Sequence, residues 1–301
     1  SQATRCPVDG TTVNGLIALP LVIVVVSILL AAPQLERLRP QAAVWGNVIA
    51  LVALLAAAVP TLWLLGLGGL AHTGLRIPAL DWCRHLLPED RITGLIVGVL
   101  ALVLAIAGSI RSVRVLALHR RLRTKDTCSL QMIETDDVFA FTLPGPAGTI
   151  AVSRGLRNSL DDVEFGVVIA HEQAHARHRH DRFLLIALLA RAFVPPVASV
   201  SRGLEFHIER WADEEALIES GACRVVAART IAKVALAAVP VPAVLGVANH
   251  GTVARATALL QPAATPSRLV RLQALAATGL IVVVAALQVH HTTMLAAKLL
   301  A

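Results

Sequence analysis

Tyrosine is absent from the 301 residues, phenylalanine occurs six times, and aromatic residues make up only 3%. The apolar mass, 56% of the chain, is therefore alanine, valine, leucine and isoleucine. Charge is scarce too: 16% of residues are charged and mean hydropathy is +0.69, whereas soluble domains sit at roughly a quarter charged. That scarcity argues against a water-soluble chain. The four cysteines, Cys6, Cys83, Cys128 and Cys223, form no C-x-x-C pair, which argues against a cysteine zinc site. Each reads as a small buried hydrophobe. There is no internal repeat and no low-complexity tract.

What the sequence does contain is long uncharged runs. About 20 apolar residues cross roughly 30 Å of hydrocarbon. Residues 15–33, 42–71, 92–110 and 272–289 are four such stretches without a charge, and hydropathy logic reads them as transmembrane helices. The first does not look like a cleaved signal peptide, because Arg5 is offset by Asp9 and no basic leader precedes it.

The net charge of +7 and the pI near 10.2 suit nucleic acid in principle. Their distribution points to membrane orientation instead. Arg111, Arg114, Arg120, Arg121, Arg123 and Lys125 follow the third run, and Arg37 and Arg39 lie between the first two. Lysine and arginine at span ends mark the cytoplasmic side. The N-terminus and the 72–91 loop are then outside, as is the tail after the last run. Direct nucleic-acid binding is not expected. Cys6 and Cys83 share the outer side, where an oxidising compartment permits a disulfide.

Three units follow: 1–114 with three spans, 115–267 as a mostly polar cytoplasmic domain, and 268–301 with the fourth span. In the polar unit, 138–142 and 149–152 read as two short strands around the turn residues 143–148. A helix is expected to open near Ser159 with Asp162 completing a capping box, and to run through His171 and His175. Another is expected over 204–220, ending at Gly221. The apolar stretch 183–200 is broken by Arg191, Pro195 and Pro196. If it crossed the bilayer, Glu209 and His175 would lie on opposite sides, so it reads as a buried or interface-lying helix. The stretch 231–249, with Lys233, Pro240 and Pro242, reads the same way.

The chemistry centres on His171-Glu172-Gln173-Ala174-His175. Residues four apart on a helix share a face, so the two imidazoles can hold one zinc ion. Glu172 lies beside them, able to take a proton from zinc-activated water as general base and return it to a leaving amine as acid. Catalytic zinc often takes two histidines and one glutamate. Glu209, in Glu209-Arg210-Trp211-Ala212-Asp213, is the expected third ligand, with Glu205, Glu214 and Glu215 as alternatives. Asp213, one turn on, can hydrogen-bond a ligand imidazole. His178 and His180 read as a solvated or interfacial basic helix end rather than a second metal site, since cations favour helix C-termini. His207 reads as packing, and His290 and His291 as interfacial.

Residues 140–156, with Ile150-Ala151-Val152-Ser153-Arg154-Gly155-Leu156, resemble the strand-then-Gly-Leu entry of gluzincin membrane peptidases. Together with Val168 to His175 and Glu209 to Asp213, they are similar to BlaR/MecR-type membrane metallopeptidases and, more distantly, to the HtpX-type. The likeness is strongest over about 138–220. It implies a mainly α integral membrane protein: four transmembrane helices plus a cytoplasmic α+β gluzincin-like zinc domain with a small β-hairpin. It also implies one Zn2+ per chain held by His171, His175 and Glu209, in a multi-pass plasma-membrane protein. Partners implied are a protein or peptide substrate, such as a cytoplasmic transcriptional repressor or the chain itself, and the lipid bilayer. Many relatives carry an acidic residue five positions after the second histidine, where this chain has His180 followed by Asp181. The alternatives are HtpX-like quality control of membrane proteins and a catalytically silent receptor or scaffold. A transporter is disfavoured because the runs lack the ionisable residues used for coupling.

Overall fold

The uncharged runs become long helices. The computed structural model describes residues 10–71, 92–124, 130–146, 148–237, 251–261 and 266–300. Within these, α1 spans Gly10–Leu35, α2 Pro40–Ala71, α3 Ile92–Leu122 and α10, the last helix, Arg268–Leu300. Four stretches among the described residues are long and apolar enough to cross a membrane: Ala18–Leu35, Pro40–Ala71, Leu95–Leu122 and Arg268–Met294. The chain is read as a multi-pass membrane protein on that basis. Lipid gives such helices no hydrophobic drive to associate, so small residues and polar contacts fix their packing. Gly69 of α2 meets Gly98 of α3 so closely that a Cβ on Gly69 would stand 2.7 Å from the Gly98 Cα. Gln288 of α10 donates to Thr61 of α2 at 2.7 Å, deep in the bundle. The suggested Cys6–Cys83 pairing lies outside the described residues.

Beyond α3 the chain builds a small sheet from β1 (Leu130–Ile133), β2 (Ala140–Leu143) and β3 (Thr149–Ser153), in the order β1-β3-β2. β2 and β3 form the expected antiparallel hairpin, from Ala140↔Val152 to Leu143↔Thr149. β1 pairs parallel to β3 and was not expected: four residues, all exposed, carry no alternating pattern to announce an edge strand. The helices then follow: α4 (Arg154–Ser159), α5 (Asp162–His178), α6 (His180–Phe193), a 3-10 turn (Pro195–Val197), α7 (Ala198–Ser220), α8 (Arg224–Ala237) and α9 (Thr252–Leu260).

Two sequence expectations shift. The capping box belongs to Asp161 and Glu164, not Ser159 and Asp162: the Glu164 amide donates to Asp161 Oδ1 at 2.8 Å, and the Asp161 amide to Glu164 Oε2 at 3.2 Å. Ser159 is instead the last residue of α4, its hydroxyl donating back to the Leu156 carbonyl at 2.8 Å. The helix foreseen from 204 starts earlier, at Ala198, because the 3-10 turn feeds straight into it. It stops at Gly221 in the left-handed region, as foreseen.

One hydrophobic core unites the spans with α6 and α7. Leu51, Leu54 and Ala58 of α2 pack in the same cluster as Phe183, Ala187, Val197, Leu204 and Ile208. A second cluster joins α5, α7, α8 and α9 through Val167, Ala170, Ala216, Ala227 and Leu259. A third seats the sheet on α5 through Ile150, Val152 and Val168. α5 is thereby clamped between the sheet and α7, and its motif faces α7.

Candidate metal centre

α5 sets His171 and His175 on one face, one turn apart. Their Nε2 atoms lie 3.1 Å from each other. Glu209 comes from α7, with Oε2 3.5 Å from His171 Nε2 and Oε1 3.5 Å from His175 Nε2. Among the described residues these three form the one group of ligand-type atoms close enough to hold an ion. Zinc with bonds of about 2.0–2.1 Å in a tetrahedral shell keeps its donors roughly 3.3 Å apart, and the imidazole–imidazole and imidazole–carboxylate separations of 3.1 and 3.5 Å bracket that value. The donors therefore fit a zinc ion.

The charges fit as well. Glu209 and Asp213 converge on one guanidinium, that of Arg255, so the two carboxylates outnumber their cation. Burial opposes a charge on His171, but the adjoining Asp213 and Glu209 carboxylates outweigh it and push the ring up to about 10. Glu209 is held well below the usual carboxylate range: burial acts against this, and Arg255, His175 and His171 prevail.

The neighbours of the triad orient it. Asp213 Oδ1 lies 3.0 Å from His171 Nδ1, which fixes the ring with Nδ1 turned to Asp213 and Nε2 turned to Glu209. Arg255 on α9 grips Asp213 with two parallel bonds, Nε to Oδ2 at 2.8 Å and Nη2 to Oδ1 at 2.7 Å. Its Nη1 also reaches Glu209 Oε2 at 2.8 Å. Nothing in the sequence pattern singled out Arg255, which lies 42 residues past Asp213 with no motif around it. Glu172 is buried, and the Thr142 hydroxyl of β2 lies 2.7 Å from its Oε2 and 2.9 Å from its carbonyl oxygen. The sheet thus fixes the carboxylate beside the triad.

His180 corrects an expectation. It does not extend a basic helix end; it is fully buried. Arg179 adopts a left-handed conformation, φ 54°, which ends α5 and starts α6. The turn folds His180 back so that its Nδ1 stands 3.0 Å from His175 Nδ1. In an unbroken helix a residue five positions on would point away. Burial, with His175 and His178 nearby, pushes the His180 ring down to about 2, so it is a neutral partner. His178 bonds Glu215 at 2.6 Å rather than facing water.

The alternative ligands are engaged elsewhere. Glu205 meets Arg191 at 3.5 Å, Glu214 meets Arg224 at 3.7 Å, and Glu215 accepts from Trp211 Nε1 at 2.8 Å. His207 is buried on α7, pushed down to about 4 by burial and Arg210, and neither ring nitrogen has a hydrogen-bond partner among the described residues.

Two helical imidazoles, a carboxylate from a later helix and a buried glutamate beside them make up a metallopeptidase type of centre. Residues 110–241 match the family model described as peptidase family M48. The match takes in α4 to α8 with the whole triad, and it supports a hydrolase of the metallopeptidase class. No curated protein and no solved structure matches the chain.

Proposed function

We propose that the chain is a membrane-embedded zinc endopeptidase. The observation that carries this is the triangle of His171, His175 and Glu209, closed by side chains from two helices with Glu172 alongside. His171, His175 and Glu209 would hold one zinc ion, which would supply Lewis acidity toward water near neutral pH. Glu172 takes the proton of the attacking water and passes it to the departing amine. The Thr142 hydroxyl holds Oε2 of Glu172, which leaves the other oxygen to carry the proton. Asp213 and His180 fix the two ligand rings from behind. Arg255 balances the two buried carboxylates on α7, which would otherwise repel across one helical turn.

In this reading the centre faces the cytoplasm of a plasma-membrane protein, the side marked by Arg37, Arg39 and the arginines after residue 110. Its substrates are proteins. Regulatory cleavage, of a transcriptional repressor or of the chain itself, is supported by the three-plus-one order of spans shared with the BlaR/MecR plan.

The test compares the purified full chain with Glu172→Gln, reading zinc per chain and cleavage of casein or of itself. Retained zinc with hydrolysis down about 10²–10⁴-fold is the expected result. Equal hydrolysis by both proteins would remove Glu172 from the mechanism and end the proposal.

A further inference from the structure

α6 and α7 form a helical hairpin whose bend, residues 194–197, points away from the metal centre and into the level of the spans. Two internal rulers give that level. α6 runs back along α3: Asp181 lies 3.7 Å from His119 at one end, and Phe193 packs so tightly on Gly108 at the other that a Cβ there would sit 2.6 Å from its ring. From His119 to Gly108 is about 16 Å at about 1.5 Å per residue. Gly108 precedes Arg111, the first charge after the third run, by roughly one helical turn. The second ruler is α2. Gly66 faces Leu102 and Gly69 faces Gly98, so the two helices are antiparallel and Pro60 stands level with Gly108. The nearest charge before Pro60 is Arg39, roughly 30 Å back along α2. The α3 ruler puts the bend about one turn on the apolar side of Arg111, and α2 carries no charge at that level; there the bend also packs against α1.

The backbone of the bend agrees. In hydrocarbon an unpaired backbone donor costs several kcal/mol, whereas a bend in water meets no such demand. The Val194 amide donates to the Ala190 carbonyl at 2.9 Å and the Val197 amide to the Val194 carbonyl at 3.1 Å. The Ala198 amide donates to the Pro195 carbonyl. Pro195 and Pro196 have no N–H to satisfy. Every backbone donor from 194 to 198 is therefore paired or missing, while Pro195 and Pro196 face outward. Arg191 and Arg202 flank the bend within about a turn and a half, on opposite arms, and Arg191 pairs with Glu205.

We infer that the α6–α7 hairpin is a re-entrant element that dips into the bilayer from the side of the metal centre, with Pro195 and Pro196 against acyl chains and Arg111, Arg191 and Arg202 at the level of the lipid phosphates. Arginine stems reach up to that level while their heads stay hydrated. The inference rests on the membrane reading and is independent of any peptidase activity.

The experiment is a depth measurement on the full chain with its four cysteines changed to serine, reconstituted in phosphatidylcholine–phosphatidylglycerol vesicles. A nitroxide is attached after Pro196→Cys, and separately after Leu100→Cys, an exposed position of α3, and Ile218→Cys, an exposed position on the far arm of α7. Collision with oxygen and with a water-soluble nickel chelate is then read at each. The expected result is nickel accessibility at 196 several-fold below that at 218, with oxygen accessibility near that at 100. Nickel accessibility at 196 equal to that at 218 would place the bend in water and overturn the inference. Ser199→Cys, exposed and next to the bend, gives the same readout if the proline variant fails to fold.

Discussion

The two ligand histidines are one helical turn apart and share a carboxylate, yet they stand in opposite surroundings. Behind His171 is an ionic chain, Asp213 then Arg255. Behind His175 is a neutral ring, His180, tilted against Trp211 and Phe183 with ring centroids 5.0 Å and 6.0 Å away. The consequence appears in their proton affinities. His171 is pushed up to about 10, because its carboxylate partners outweigh burial. His175 is pushed down, by burial first, with His171 adding to it against the pull of Glu209. One half of the centre sets its ring with a charged carboxylate; the other sets its ring through packing and one neutral hydrogen bond. Ligand rings can be oriented by either means, and this candidate centre contains both.

Substitutions can break that contrast. Glu209→Ala removes the ligand common to both halves, so zinc should fall from one per chain to near none, measured by metal analysis after dialysis; full retention would mean that another carboxylate takes its place. Asp213→Asn, which keeps the shape but weakens the charged half, should lower zinc affinity by about 10–100-fold in a chelator competition. His180→Phe, which keeps the ring and removes the acceptor, should cost less, about tenfold, with little change in the thermal midpoint of the metal-free chain. If the halves act independently, the double variant should show the product of the two losses; a smaller loss would mean that they act as one network. The smallest effect is expected from Arg179→Gly. It relieves a left-handed non-glycine residue that costs about 1–2 kcal/mol and gives up a long, part-buried pair with Asp181 and a long contact to the Pro146 carbonyl, so the unfolding free energy should rise by at most about 1 kcal/mol. A lower melting temperature would show that the Arg179 side chain is worth more than its strain.

The legibility of these parts in the sequence differed with their range. The spans were readable because uncharged length is a local property, and so was the ligand pair, because a four-residue spacing needs only a helix. Glu209 and Asp213 were reachable by spacing within α7 and by likeness to known peptidases. Arg255 and Thr142 were not, since their contacts depend on how α9 and β2 pack against α5 and α7. His180 was misread for a specific reason: five residues past His175 is the wrong side of a continuous helix, and only the left-handed turn at Arg179 brings it back. The cap moved from Ser159 to Asp161 because both Ser159 and Asp161 are good cap residues three places from an acid, and the chain needed a short α4 first.

The core shared by α2 and the α6–α7 arms has a practical corollary. Phe183, Ala187, Val197, Leu204 and Ile208 are buried only because α2 and its neighbours cover them. A fragment trimmed to the polar segment would expose that whole stripe to solvent, at about 25 cal/mol for each Å², and would lose the surface that sets α7 opposite α5. The segment with the candidate centre is expected not to stay folded and soluble on its own, because the spans are also its scaffold; detergents that loosen the bundle should unseat Glu209 before they unfold the sheet.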